Sequence, residues 1–419
     1  MSTIQNIYAR EILDSRGVPT VECWLWLDSG HFVKTSVPTG TSVGKYEAVE
    51  LRDNDPNRMN GKGVLTAVNN INTIIAPQLK GQDPANQEQI DQTMITLDGT
   101  ENKAELGANA ILAVSQAVLK AAATANGKQL YDYISERYQL NPQKRISNII
   151  YTVINGGAHG ASNLDIQEFQ IVPASHLDFA KSLELAVTIF NKLEEVLINK
   201  EAIHSVGIVG GFTPNLYNNT DAFEIIIETI KATTYTFAQD LFLGVDMAAA
   251  NFYEKNKYHL RDKAQSYSSE EMAQYYAKLR KMYHAFCIED PFAEDDTKAW
   301  KKITTDLGET TLIIGDSLLV SNLTRLQNAI AQKLCNSILV KPNQVGTITE
   351  TINVIKAAKE AGWQVVVSHR SGETNDDFIA DFAVGIGAEY AKLGPPNRGE
   401  RVAKYNRLSE IYQTLQVGQ

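Results

Sequence analysis

Three short apolar runs of this chain each end in an acid, Val245-Asp246, Cys287-Ile288-Glu289 and Ile313-Ile314-Gly315-Asp316, and a fourth, Ile338-Leu339-Val340, ends in Lys341. Runs this short, set between helical stretches, read as strands of a parallel sheet buried on both faces. The charges at their C-terminal ends then share one rim, and in a (β/α) barrel that rim carries the active site. Three carboxylates and a lysine there suggest a hard divalent cation beside a base. The competing reading is that each acid only caps the helix or turn that follows. For one strand end capping is the better account; for acids and a lysine on successive strands it is the poorer one.

With 419 residues the chain is long enough for two domains with their own cores, and 43% hydrophobic with 21% charged residues is the composition of a globular protein. A formal net charge of −10 argues against broad binding to nucleic acid or anionic membranes, while leaving room for a basic pocket that takes a small anion. The first thirty residues carry Arg10, Glu11, Asp14, Arg16 and Glu22 among the apolar ones, so no signal peptide is visible. No run of about eighteen apolar residues stands out as a membrane span, and a cytoplasmic protein is expected. Cys23, Cys287 and Cys335 are odd in number and lie in apolar, strand-like contexts, as buried reduced thiols do.

The chain changes character near residue 140. Before it, residues 20–27 alternate like a half-buried strand, Asp28-Ser29-Gly30 makes a turn and residues 31–37 return as the second arm of a hairpin. Residues 64–75 and 107–125 then have apolar side chains at helical spacing, the second stretch rich in alanine. Strands followed by helices indicate an N-terminal α+β domain, residues 1–138, with a linker at 140–144. Strand-like runs at 149–154, 169–172, 241–245, 286–288, 311–314, 337–340 and 365–367 follow, mostly interleaved with helical stretches such as 179–200 and 221–238. Residues 139–419 are therefore expected to form a modified (β/α)8 barrel, giving an α/β chain overall.

Further polar clusters fall where the same rim would gather them. Ser368-His369-Arg370-Ser371-Gly372 follows the run at 365–367, and Lys392 ends Glu389-Tyr390-Ala391. A guanidinium, a hydroxyl and backbone N–H groups near glycine suit a phosphate group. Thr39-Gly40-Thr41-Ser42-Val43-Gly44-Lys45 does not fit the nucleotide-binding G-x-x-x-x-G-K-[ST] pattern and reads as a turn or a lid from the small domain. Asn155-Gly156-Gly157-Ala158-His159 and Gln167-Glu168-Phe169 complete the set; taken singly, His159 and Glu168 read as structural residues.

Six segments, in order along nearly the whole chain, resemble the signature segments of the enolase (phosphopyruvate hydratase) family. They are Ala9-Arg10-Glu11-Ile12-Leu13-Asp14-Ser15-Arg16-Gly17, Ile154-Asn155-Gly156-Gly157, Gln167-Glu168-Phe169, Ile288-Glu289-Asp290-Pro291-Phe292-Ala293-Glu294-Asp295-Asp296, Val340-Lys341-Pro342-Asn343-Gln344-Val345-Gly346-Thr347 and Ser368-His369-Arg370-Ser371-Gly372-Glu373-Thr374. The resemblance implies removal of the C2 proton of 2-phosphoglycerate to give a metal-stabilised enediolate, then loss of the C3 hydroxyl. It implies two Mg²⁺ ions, the second arriving with the substrate. Asp246, Glu289 and Asp316 would hold the first, and Ser42 would join the second. Lys341 would be the base. Lys392 would neutralise carboxylate charge, Arg370 and Ser371 would hold the phosphate, and His159, Gln167 and His369 would line the pocket. A homodimer or higher assembly is implied as well.

Two positions depart from that family. Where it has Gly-Asp-Glu-Gly-Gly before Pro-Asn, this chain reads Gly207-Ile208-Val209-Gly210-Gly211 before Pro214-Asn215, so Val209 stands in the place of the general-acid Glu and Ile208 in that of its Asp neighbour. A positioned acid contributes about 10²- to 10⁴-fold, and valine has no proton to give. An apolar wall opposite Lys341 is expected. In the tail, where the family has Arg-Ile-Glu-Glu after Asn-x-Leu-Leu, this chain reads Asn406-Arg407-Leu408-Ser409-Glu410-Ile411-Tyr412-Gln413 and so lacks the acid that would meet Arg16 across a dimer interface. The sequence thus leaves three functions open: a divergent lyase acting on a 2-phospho or phosphonate relative of 2-phosphoglycerate, a slow phosphopyruvate hydratase using Glu168 or His159 as the acid, and an inactive scaffold. A scaffold has no need of Asp246, Glu289, Asp316, Lys341, Arg370 and Lys392 together.

Overall fold

Alternation of small apolar and large residues in the first thirty positions builds a sheet with two unlike faces. In the computed structural model, which describes residues 2–41, 44–160 and 163–417, β1 (Ile4–Leu13), β2 (Pro19–Leu27) and β3 (Phe32–Ser36) form an antiparallel sheet in that order. The expected hairpin is β2–β3; β1 is an additional strand on its other side, and its many exposed residues hid it from the sequence. Ile7, Ala9, Val21, Cys23 and Leu25 are buried, and the helix Ala108–Ala125 packs on β2 and β3. That helix is long and apolar enough for a membrane span, yet 83% of it is buried inside the protein, where its alanines permit close packing. The helix expected at 64–75 runs as Leu65–Asn70, a π-helical turn Ile71–Ile75 and Ala76–Leu79. Asn72, on the π turn, takes the Ala9 N–H at 2.7 Å and donates to the Ala9 carbonyl at 3.0 Å, tying the helix to β1.

The second half closes a barrel. Its strands are β4 (Asn148–Asn155), β5 (Glu168–Pro173), β6 (Leu241–Asp246), β9 (Ala285–Glu289), β10 (Leu312–Gly315), β11 (Ser337–Val340), β12 (Gln364–Ser368) and β13 (Tyr390–Lys392). A small hairpin, β7 (Tyr253–Glu254) and β8 (Lys257–Tyr258), projects after β6. The closed order is β10-β11-β12-β13-β4-β5-β6-β9. The sheet is not wholly parallel, as the apolar runs suggested, because β5 pairs antiparallel with both neighbours. Among the described residues the connection 156–167 carries only the one-turn helix Gly157–His159, with no crossover helix of the kind that usually joins parallel strands. This reversal puts Glu168, the first residue of β5, level with Asn155 of β4 and Asp246 of β6, and Asp246 level with Glu289 of β9. Four polar residues thus stand side by side on one rim. Below them Ile150, Val172, Cys287, Ile314, Leu339 and Val366 fill the interior.

Helices surround the barrel, among them Phe179–Asn199, Asn219–Lys231 and the final Gly399–Val417. The helix expected at 221–238 begins at Asn219, capped reciprocally by Asn218 and Asp221, and stops at Lys231, where Thr233 bonds back to the Ile230 carbonyl and receives the Tyr235 N–H. All three cysteines are buried and free, and burial pushes the Cys287 thiol up to about 12. The two halves are stitched together by backbone and charge. Thr39 and Gly372 exchange backbone hydrogen bonds at 2.7 and 3.0 Å, and Lys120 pairs with Asp376 at 3.0 Å.

Candidate active site

The rim opens into a cavity of about 160 Å³ lined by residues from all eight barrel strands or the loops after them and by Thr41, Gly44, Lys45 and Glu47 of the N-terminal domain. Pockets for drug-sized ligands run to about 300–1,000 Å³, so this one suits a small acid. His159, Gln167, Glu168, Asp246, Asp316, Lys341, His369, Arg370, Ser371 and Lys392, each singled out in the sequence, all line it. Strand ends bring them together from positions more than 200 residues apart.

Two lysines organise the carboxylates. Lys341 Nζ lies 2.5 Å from Asp316 Oδ2, whose other oxygen receives Gln344 Nε2 at 3.0 Å. Lys392 Nζ lies 2.6 Å from Glu289, 3.4 Å from Asp246 and 3.5 Å from Glu168. Burial opposes the charge on Lys392, but these three acids outweigh it and raise the ammonium well above the ordinary lysine range. Glu289 goes the other way: burial first, then Asp246 beside it, push its carboxyl well above the usual value. Asp290, whose oxygens receive the backbone N–H groups of Asp316 and Ser317 at 2.9 Å, is pushed to about 7 by burial and by Asp316 and Asp246.

The expected ligand set shares a rim without forming a cage. Among the described residues no three His, Cys, Asp or Glu side chains are placed to hold an ion, because Asp316 is engaged by Lys341, and Asp246 and Glu289 by Lys392. The donor chemistry nevertheless fits a hard divalent cation. All three are carboxylates, and Glu289 Oε1 is buried without a hydrogen-bond partner. Like charges crowd Glu289, which a cation would relieve. Ser42, expected at a second ion, lies outside the described residues.

Glu168 is held by three side chains besides Lys392. It accepts from Thr152 Oγ1 at 2.9 Å and Gln170 Nε2 at 3.1 Å, and faces His159 Nδ1 at 3.1 Å. Burial works against its charge, but the Lys392 ammonium and the hydrogen bond to His159 prevail and hold its carboxyl well below the usual range. An ionised carboxylate only accepts, so His159 Nδ1 carries the proton of that bond.

Across the cavity, Arg370 Nη1 pairs with Glu47 Oε2 at 2.9 Å, both side chains buried, and Ser371 Oγ meets Thr41 Oγ1 at 2.7 Å. The N-terminal loop therefore lies directly on the expected phosphate residues. Gly40 permits this, since a Cβ there would strike the Arg370 guanidinium. Glu47 and Gln344 were not recognised from the sequence as site residues. Gln344 lies in the segment after Lys341 and could have been suspected; Glu47 gave no local signal, being one charge in a polar loop.

The apolar wall expected from Val209 is not found. Gly207 N–H bonds to the Gly211 carbonyl at 2.8 Å and Ile208 N–H reaches the His159 carbonyl at 3.3 Å, so the loop folds back behind the His159 segment. Val209 is fully buried, and neither it nor Ile208 lines the cavity. An apolar side chain gains by leaving a polar chamber for the interior. Arg16, expected to lack a partner, is satisfied within the chain by Asp14 at 3.0 Å and Thr39 Oγ1 at 2.6 Å.

Comparison with known proteins covers both halves of the chain. The family model described as "Enolase, N-terminal domain" matches residues 4–134, and that described as "Enolase, C-terminal TIM barrel domain" matches residues 146–418. The chain is also similar to the protein named "Enolase" of Ehrlichia canis (strain Jake), with 45% identity over 415 residues, 99% of this chain and 97% of that relative.

Proposed function

The chain belongs to the enolase family and is a carbon–oxygen lyase of the hydro-lyase class, and from that premise we propose that it removes the C2 proton of a 2-phosphoglycerate-like acid, a 2-phospho or phosphonate carboxylate, and eliminates the group at C3. The observation that carries this reading is the rim on which Lys341 and Lys392 stand among Glu168, Asp246 and Asp316 around one small cavity, with Glu289 buried against Lys392. A proton beside a carboxylate is hard to remove because its loss adds charge to an anion. Asp246, Glu289 and Asp316 would hold Mg²⁺, with Ser42 at a second ion, and the metal supplies positive charge against the substrate carboxylate. Lys341 takes the C2 proton. Lys392, raised well above the ordinary lysine range by its acidic neighbours, stays cationic and offsets carboxylate charge. Arg370 and Ser371 bind the phosphate or phosphonate at the mouth, beside the N-terminal loop. Gln167, which donates to Asp246 Oδ2 at 3.1 Å, holds that acid in place. A homodimer in the cytoplasm belongs to the same proposal.

Val209 makes 2-phosphoglycerate itself a poor substrate in this reading, since hydroxide departs slowly without a proton. One observation favours the slower hydratase as a second reading. Of the two acids that could replace the missing one, Glu168 is held ionised and cannot donate, whereas His159 is tied to it through Nδ1 and lines the cavity. When protonated, His159 would present Nε2–H. The test is to incubate the protein with 2-phosphoglycerate and Mg²⁺ in D₂O and follow C2–H loss and phosphoenolpyruvate by proton and phosphorus NMR. Exchange without dehydration supports the divergent lyase, and fast dehydration the hydratase with His159 as acid. Neither signal would overturn both in favour of a different substrate or a scaffold.

A further inference from the structure

The last helix, Gly399–Val417, begins outside the rim, yet a side chain from its first turn reaches the cavity wall. Arg401 is fully buried. Its Nη1 lies 2.8 Å from His369 Nδ1 and also donates to the Arg370 carbonyl at 2.8 Å, while Nη2 donates to the Ser371 carbonyl at 2.8 Å. One guanidinium thus grips three consecutive residues that all line the cavity. Lys404, one turn on, reinforces the grip by donating to the Thr374 and Asp376 carbonyls at 2.8 Å and pairing with Glu373 at 3.0 Å. The backbone is also shaped around the contact. Gly394 has φ +88°, and a Cβ there would stand 2.9 Å from His369 Cε1 and 3.1 Å from Arg401 Cδ.

We propose that Arg401 is a positioning residue that fixes His369 as the neutral Nε2–H tautomer, making it a permanent hydrogen-bond donor to an anionic oxygen of the substrate. A guanidinium has donors and no acceptor. The atom it meets on His369 must therefore accept, which leaves Nδ1 without a proton and rules out the imidazolium, in which both nitrogens donate. The one proton of the ring sits on Nε2, the nitrogen left for the cavity. Burial and the Arg401 charge act in the same sense, moving His369 well below the usual histidine range. His369 consequently neither takes nor delivers a proton in the reaction. It reads the substrate by requiring an acceptor at that point, as a carboxylate or phosphate oxygen provides and an ammonium or alkyl group does not. The role in substrate recognition rests on the reading of the cavity given above; the tautomer does not.

Long-range ¹H–¹⁵N correlation spectra of the full-length protein with ¹⁵N-labelled histidine decide the matter, the His369 signals being assigned by their loss in His369→Asn. The free protein should show His369 as the Nε2–H tautomer, unchanged from pH 6 to pH 9. An Nδ1–H tautomer, or titration near the ordinary value of about 6.5, overturns the proposal. In Arg401→Lys a single ammonium replaces the two-pronged grip on three acceptors, and a second tautomer or a titration step should appear. A spectrum identical to wild type would overturn the assignment of the effect to Arg401. Adding 2-phosphoglycerate with Mg²⁺ should then shift the Nε2–H resonance; a fixed tautomer that no such anion perturbs would count against donation to the substrate, separately from the tautomer itself.

Discussion

Lys341 and Val209 define the chemistry residue by residue. Lys341 Nζ reaches into the cavity from a strand end and meets Asp316 Oδ2 at 2.5 Å, and the other strand-end lysine among the described lining residues, Lys392, is kept charged by three acids. Lys341→Ala should therefore reduce C2 deuterium exchange by about 10²- to 10⁴-fold, the contribution of a positioned base. Exchange at the wild-type rate, measured by proton NMR in D₂O, would remove Lys341 from the role. Val209 poses the opposite question. Val209→Glu combined with Ile208→Asp should raise dehydration of 2-phosphoglycerate, by up to the same factor, if only the acid is missing. The loop is folded behind the His159 segment, however, so the new carboxylate must turn outward or be buried without a partner, which is costly. A lowered melting temperature with no gain in phosphoenolpyruvate would mean that the pocket has been rebuilt beyond this one position.

The connection between helix and loop matters at the scale of elements. Lys120 of the helix Ala108–Ala125 pairs with Asp376, in the loop before the helix Phe378–Gly385, and Asp376 also receives the backbone N–H groups of Ser36 at 2.9 Å and Phe378 at 2.8 Å. Burial would raise the Asp376 carboxyl, but Lys120 and these N–H groups outweigh it and hold it below its ordinary value. A carboxyl lowered in the folded state stabilises fully above its unfolded pKa of about 3.9, and that contribution is lost as the pH falls through the folded value. Asp376→Asn should thus cost about 1.5–3 kcal/mol in urea unfolding at pH 7, as hydrogen bonds to a charged group do, and should make the acid limb of the stability curve shallower. Equal losses at pH 7 and pH 3 would show that the charge is not what matters. Elements were legible in the sequence where period and length agreed: the apolar barrel runs 241–245, 337–340 and 365–367 all proved to be strands. β1 was not legible, because it lies at a sheet edge with Arg10 and Leu13 exposed, and the π turn at Ile71–Ile75 was not, because it departs from helical period by a single residue.

For the whole molecule, the cavity is walled on one side by the N-terminal domain and on the rest by the barrel rim. Glu47 and Thr41 come from one and Arg370 and Ser371 from the other, and the Thr39–Gly372 backbone pair joins them. Mg²⁺ bound at the acidic rim would favour the folded state by mass action, about 2.7 kcal/mol at a hundred times its dissociation constant. The melting temperature should rise with Mg²⁺ and fall back with a chelator, and Asp316→Asn should reduce the rise. An unchanged melting temperature at millimolar Mg²⁺ would argue against an ion at these acids in the free protein. The sequence by itself determined the barrel, the family and the strand-end acids and lysines of the rim, because strand ends and their charges are local patterns written in consecutive residues. Only the tertiary structure decided that β5 runs backwards and so delivers Glu168 to the rim, that Val209 leaves the chamber, that Glu47 covers Arg370, and that Arg401 reaches His369 from the last helix. Each of these depends on which distant segments touch, a matter of packing and strand direction that no local period encodes.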